Sequence, residues 1–138
     1  MAGFNSDFSE YTVLIVDDIN MNIFLLQKIL TRFNFNILTA KSGREALNVM
    51  SGIKPAIVFL DVMMPGMDGL ATLRAIRSNP DYADVRVIMV SALNSEEDVQ
   101  AALSNGANDY VTKPILMASL TDVVMRQVDE YRKSKGEV

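Results

Sequence analysis

The sequence predicts an α/β fold of the doubly wound kind, five parallel strands in the order 2-1-3-4-5 with helices on both faces. Two observations carry this. Short apolar, β-branched runs alternate with longer amphipathic ones along the whole chain, which gives a strand followed by a helix five times over. Helical crossovers then force the strands parallel and cover the sheet on both sides, and right-handed crossovers leave few windings at this size. A third observation is polar: the first, third and fourth runs end in acids or a hydroxyl, beginning with Asp17 and Asp18 after YTVLIV.

The first strand is expected at Thr12–Val16, rich in Val, Ile and Leu. Ile23, Leu26, Leu30 and Phe33 follow at three- or four-residue steps and line one helical face. A second strand is expected at Asn36–Ala40, and Ser42 with Glu45 reads as a capping box opening the next helix. The third strand, 56–60, leads into Asp61, and Asp68 caps a helix carrying Leu70, Leu73 and Ile76. After the fourth strand, 85–90, comes Ser91. Glu96, Glu97 and Asp98 then sit in one first turn, where negative charge suits the helix dipole, and Gly106 marks that helix's end. The fifth strand, Asp109–Thr112, runs into Lys113 and Pro114, and Leu120, Val123, Val124 and Val128 line the last helix. We expect a tail at 1–10, one domain at 11–131 and a tail at 132–138.

Composition narrows the chemistry. With no cysteine, the 138 residues hold no disulfide, thiolate nucleophile or thiolate metal ligand, and with no histidine they hold no imidazole base or ligand. Carboxylates, hydroxyls and lysines remain. A net charge of -4 argues against direct contact with nucleic acid. No apolar stretch approaches the ~20 residues a bilayer span needs, and MAGFNSDFSE lacks the basic start and apolar centre of a signal peptide. A cytoplasmic location without membrane contact is expected.

Topology gathers the strand ends. Ligands of such sheets bind outside the carboxyl ends, where the winding reverses between strands 1 and 3. Asp17, Asp18, Asp61, Ser91 and Lys113 are therefore expected on one rim. Converging carboxylates with no nitrogen or sulfur ligand point to a hard ion, Mg²⁺ or Mn²⁺. Each feature alone has a plainer reading: an Asp pair in a solvated turn, a turn serine, a surface lysine before proline, a packing tyrosine at 110, methionines as core filler. Their convergence on one edge outweighs those readings.

The pattern DD at 17 and 18, DVMMPGMDG from 61 to 69, SA at 91 and 92, and KP at 113 and 114 resembles the receiver domain of two-component response regulators. Four separate motifs at the right spacing, covering nearly everything between the two tails, make the resemblance specific. It implies a flavodoxin-like (βα)5 domain in a phosphorelay, with Asp61 as phosphoacceptor for a histidine kinase or histidine phosphotransfer protein. It further implies that Asp18 and Asp61 bind Mg²⁺ directly, Asp17 through water, and Met63 through its backbone carbonyl, with Mn²⁺ as a substitute ion. Lys113 would pair with Asp61, Ser91 would hydrogen bond the phosphoryl group, and Tyr110 would be the aromatic rotor that follows Ser91. A homodimer through the fourth helix, fifth strand and fifth helix fits the same resemblance, as does a cis bond between Lys113 and Pro114. Such a domain is no enzyme beyond catalysing its own phosphorylation and dephosphorylation.

Three rivals differ at named positions. An aspartyl phosphatase of the haloacid dehalogenase type needs a second acid two residues after Asp61, where Met63 stands. A flavin or nucleotide module of the same winding needs a phosphate cradle after strand 1, where two acids stand instead. A degenerate receiver that only docks would not keep Asp18, Asp61, Ser91 and Lys113 together.

Overall fold

A computed structural model describes residues 7–136. The expected tails at 1–10 and 132–138 lie partly outside them. Five strands, β1 Thr12–Val16, β2 Asn36–Ala40, β3 Ile57–Asp61, β4 Arg86–Ser91 and β5 Asp109–Thr112, form one parallel sheet in the order β2-β1-β3-β4-β5. Five helices connect or follow them: α1 Asn20–Leu30, α2 Gly43–Gly52, α3 Gly69–Arg77, α4 Glu96–Ser104 and α5 Met117–Ser134. The order and winding are those the sequence predicts. β3 and β4 start and end one residue later than the apolar runs suggest, so Asp61 and Ser91 close the strands rather than follow them.

Alternation along the strands builds two cores. Val13, Ile15, Ile57, Phe59, Ile88 and Val90 face α1 and α5, packing on Ile23, Leu26, Leu120 and Val124. Leu14, Val16, Val58, Leu60, Val87 and Met89 face the other way, against Ala46, Met50, Leu73, Ile76 and Ala102. Strands buried on both faces explain why their sequences read as continuous apolar runs.

Local chemistry sets the helix ends. Ser42 accepts the Glu45 N–H and Asp68 the Ala71 N–H, as expected of N-caps, and Ser95 caps α4 by accepting the Asp98 N–H. The Glu45 carboxylate reaches one residue further back than a capping box requires, to the Lys41 N–H. Phe33 lies on the predicted apolar face of the first helix but belongs to a 3₁₀ turn, Thr31–Phe33, that ends at Asn34 with φ 64°. Phe8, within the stretch expected as a tail, is buried against Tyr11, Phe33 and Phe35. α5 runs past residue 131 to Ser134, and the Arg132 guanidinium there lies over the Phe8 and Tyr11 rings and donates to the Tyr11 hydroxyl.

Candidate functional site

The carboxyl ends of β1 and β3 lie side by side in the sheet, with Val16 opposite Leu60. The acids that follow are therefore brought together: one carboxylate oxygen each from Asp17, Asp18 and Asp61 lies within 4.8 Å of the others. Asp17 and Asp61 are buried and Asp18 is half-buried.

Each acid is held differently. Asp17 uses one oxygen to accept the Ile19 N–H at 2.9 Å and the Asn22 side chain at 3.3 Å, which ties the end of β1 to the start of α1. Its other oxygen is 3.1 Å from the Lys113 ammonium. Asp61 accepts the Met63 N–H at 3.3 Å and lies 3.7 Å from the same ammonium. Lys113 thus pairs first with Asp17, whereas the resemblance implied Asp61. Desolvation raises the Asp61 carboxyl above its ordinary value; Lys113 works against the rise, and Asp17 and Asp18 add to it.

Lys113 comes from the end of β5, two strands away from β3. Its N–H donates to the Ser91 carbonyl at 2.8 Å, and its bond to Pro114 is cis. Ser91 is fully buried, and its hydroxyl accepts the Leu93 N–H at 3.0 Å. The Leu93 carbonyl in turn accepts the Tyr110 hydroxyl at 2.6 Å, so serine and tyrosine hold the two backbone polar groups of one residue, Leu93. Burial raises the Tyr110 phenol above its ordinary value.

The loop after β3 owes its shape to two glycines. Gly66 has φ 74°, in the left-handed region. Gly69 packs so tightly that a Cβ there would collide with the Asp61 carbonyl and Val62 Cα, and its N–H donates to the Val62 carbonyl at 2.9 Å. The start of α3 therefore presses on the backbone that carries Asp61.

Every residue singled out from the sequence thus sits at one end of the sheet. Two supports were missed. Asn22, five residues after Asp17, had a usable signal, because that spacing puts an amide in the first turn of α1 beneath the acid. The Leu93 carbonyl as Tyr110's partner had none.

The match to known proteins covers this machinery. Residues 13–125 fit the response regulator receiver domain model. The chain belongs to that family. Among curated relatives, this receiver is 40% identical over 103 residues to Response regulator PleD of Caulobacter vibrioides, covering 75% of this chain but 23% of that protein. It is 34% identical to the transcriptional regulatory protein KdpE of Staphylococcus aureus, over 91% of this chain and 52% of that one. The receiver therefore spans about a quarter to a half of these relatives' length. Among solved structures it is similar to CheY in the CheX-CheY-BeF3-Mg+2 complex from Borrelia burgdorferi, with TM-score 0.81, 34% identity, and coverage of 91% of this chain and 97% of that one.

Receiver domains bind Mg²⁺ at an acidic pocket. The donors here fit such an ion: three carboxylates converge with one half-buried ammonium among them, and no histidine or cysteine competes. Among the described residues no helix is long and apolar enough to cross a membrane.

Proposed function

We propose that this receiver takes a phosphoryl group onto Asp61 from a phosphohistidine of a histidine kinase or histidine phosphotransfer protein. The observation that carries this is Asp61 itself: a buried carboxylate closing the central strand, beside two further acids and within 3.7 Å of an ammonium. One carboxylate oxygen attacks phosphorus in line, the bond to the donor imidazole nitrogen breaks, and the imidazole keeps that electron pair.

Asp18 and Asp61, with the Met63 carbonyl and Asp17 through water, would hold Mg²⁺. Mn²⁺, also a hard ion, would serve in its place. When bound, the ion supplies positive charge against the oxygens of the transferring group. The chain's own residues do the rest. Lys113, placed between Asp17 and Asp61, meets the charge that develops on those oxygens. Ser91 offers its hydroxyl from the adjoining strand. Asn22 and the Ile19 N–H keep Asp17 aimed into the pocket.

Ser91 and Tyr110 both hold Leu93, one at its N–H and the other at its carbonyl, so a pull on the serine is felt by the ring on β5. The face formed by α4, β5 and α5 is then the switching surface for a partner or a second copy of the chain. Catalysis is confined to the chain's own phosphorylation and dephosphorylation, and the cytoplasm is its place of work.

Labelling by acetyl phosphate, or binding of beryllofluoride with Mg²⁺, tests this reading. Wild type should label and Asp61→Asn should not, with both equally folded by circular dichroism. Undiminished labelling of the variant would overturn the assignment. The Borrelia relative, solved with BeF3 and Mg²⁺, supports the choice of probe.

A further inference from the structure

α5 is loose at one end and held at the other. Its first turn, close in sequence to Lys113 and Pro114, has no side-chain cap, and Leu116 and Met117 there are 64% and 40% exposed. Its last buried side chain is Val128, yet the helix runs on to Ser134 through the polar residues Arg132, Lys133 and Ser134. A helix end of that composition frays unless something outside the helix fastens it.

The fastening comes from residues 7–11. The Phe8 N–H donates to the Phe33 carbonyl and the Tyr11 N–H to the Phe8 carbonyl, both at 2.9 Å, and the Asp7 carboxylate accepts the Asn34 side chain at 3.0 Å. The segment is thereby tied to the 3₁₀ turn that follows α1, with Phe8 and Tyr11 buried. The Arg132 guanidinium lies 5.2 Å from the Phe8 ring centre and 5.5 Å from that of Tyr11, and its Nε–H donates to the Tyr11 hydroxyl at 2.8 Å. Tyr131 meets Tyr11 edge-on, with ring centres 5.8 Å apart. Phe8, Tyr11, Tyr131 and Arg132 all lie outside residues 13–125, so these contacts are an addition to the receiver core.

We infer that residues 7–11 are a strap that fixes the last turn of α5, so that a change reaching α5 at its loose end dies away along the helix before residues 132–134. The strap stands on its own contacts; its part in stopping the change rests on the phosphoacceptor reading of Asp61. Both rings are held by the backbone hydrogen bonds of their own segment and do not follow the helix. A displacement of the helix end therefore takes the guanidinium off two ring faces and away from a hydroxyl at once, and the end stays where it is.

The test compares amide order parameters and chemical shifts in wild type, Phe8→Ala, Arg132→Met and the control Lys133→Met. Lys133 belongs to the same turn and pairs with Asp129 and Glu130 of its own helix. Arg132→Met keeps the stem and both rings, so it gives the reading if Phe8→Ala fails to fold. Without any phosphoryl mimic, order parameters at residues 131–134 should stand near about 0.85 in wild type and the control, and fall to about 0.6 in the two strap variants. With beryllofluoride and Mg²⁺, wild-type shifts should shrink along α5 and vanish at 132–134, whereas in the strap variants they should keep their size as far as Tyr131. Order parameters equal in wild type and both strap variants, or a drop of the same size in Lys133→Met, overturn the strap. Wild-type shifts as large at 132–134 as at the start of α5 overturn its part in the switch. Absence of any shift in wild type would overturn the phosphoacceptor reading and the switching part with it, while the order parameters still decide the strap.

Discussion

The Lys113 ammonium lies 3.1 Å from Asp17 and 3.7 Å from Asp61. One cation serves two buried acids, and it serves the nearer one better. Asp61 is left under-compensated, and burial lifts its carboxyl above the ordinary value.

That lift has a cost for folding. An acid whose folded value is raised favours its neutral form in the fold, so stability is lost as pH rises through the folded value, and at neutral pH the charged group is a burden. Asp61→Asn removes the charge and keeps the shape. We expect it to stabilise the metal-free protein by about 1 kcal/mol, or roughly 3 °C in Tm for a chain of this size. Added Mg²⁺ should narrow the gap by stabilising wild type more. A variant that melts no higher than wild type without Mg²⁺ would show that the site stores no such burden.

Gly69 supports the site through the backbone. An added methyl group would enter the space held by the Asp61 carbonyl and Val62 Cα, both backbone atoms that cannot swing aside. Gly69→Ala is expected to destabilise by about 2 kcal/mol and to lower labelling by acetyl phosphate as Asp61 shifts. Gly52→Ala, where a Cβ meets nothing within 4 Å, is the matched control. Equal urea midpoints for the two variants would show that the start of α3 gives way freely.

At the other end of the sheet, Asp84 lies 2.8 Å from Lys54 and 2.7 Å from Lys135, joining the approach to β3 with the end of α5. Hydrogen bonds from the two lysines hold its carboxyl down at about 2, against the desolvation that would raise it. The sign follows from the depression: the contribution is complete above the unfolded value of 3.8 and lost as pH falls towards 2. Because these side chains are partly exposed, we expect Asp84→Asn to cost about 1 kcal/mol at pH 7. The difference should vanish near pH 2. A cost that persists unchanged at pH 2 would have to come from packing instead.

Why the fold was legible, and where it was not, follows from the range of the forces involved. β1, β2 and β5 were readable to the residue because turn chemistry bounds their apolar runs. β3 and β4 shifted by one, because Ala56 and Val85 are buried like strand residues while the ladder itself extends to Asp61 and Ser91. The acid cluster was legible from topology, since parallel strands with helical crossovers must collect their ends on one edge. Phe8 was not: a lone aromatic among Asp, Ser and Glu carries no period, and only its fit against Phe33 and Phe35 buries it. The Lys113 preference for Asp17 was equally hidden, because a few tenths of an ångström between two acids leave no trace in spacing.

The switch gives the last expectation. Tyr110 is 17 residues from Leu93 in sequence, yet its hydroxyl donates to the Leu93 carbonyl at 2.6 Å, while Ser91 holds the same residue's N–H at 3.0 Å. If a phosphoryl group on Asp61 draws the Ser91 hydroxyl towards itself, the Leu93 N–H that it holds is pulled or released, and Leu93 moves with Tyr110 still bound to its carbonyl oxygen. A small displacement is thereby passed to β5 and the helices beside it, which is how a local charge change biases a packed two-state element. Beryllofluoride with Mg²⁺ should therefore shift amide resonances across residues 91–131 in wild type. In Tyr110→Phe, which keeps the ring and loses the hydroxyl, shifts should persist around Leu93 and weaken along β5 and α5. Full-sized shifts in the variant would mean that the loop reaches α4 directly and the tyrosine is only a packing residue; no shifts in wild type would mean that this face does not respond to Asp61 at all.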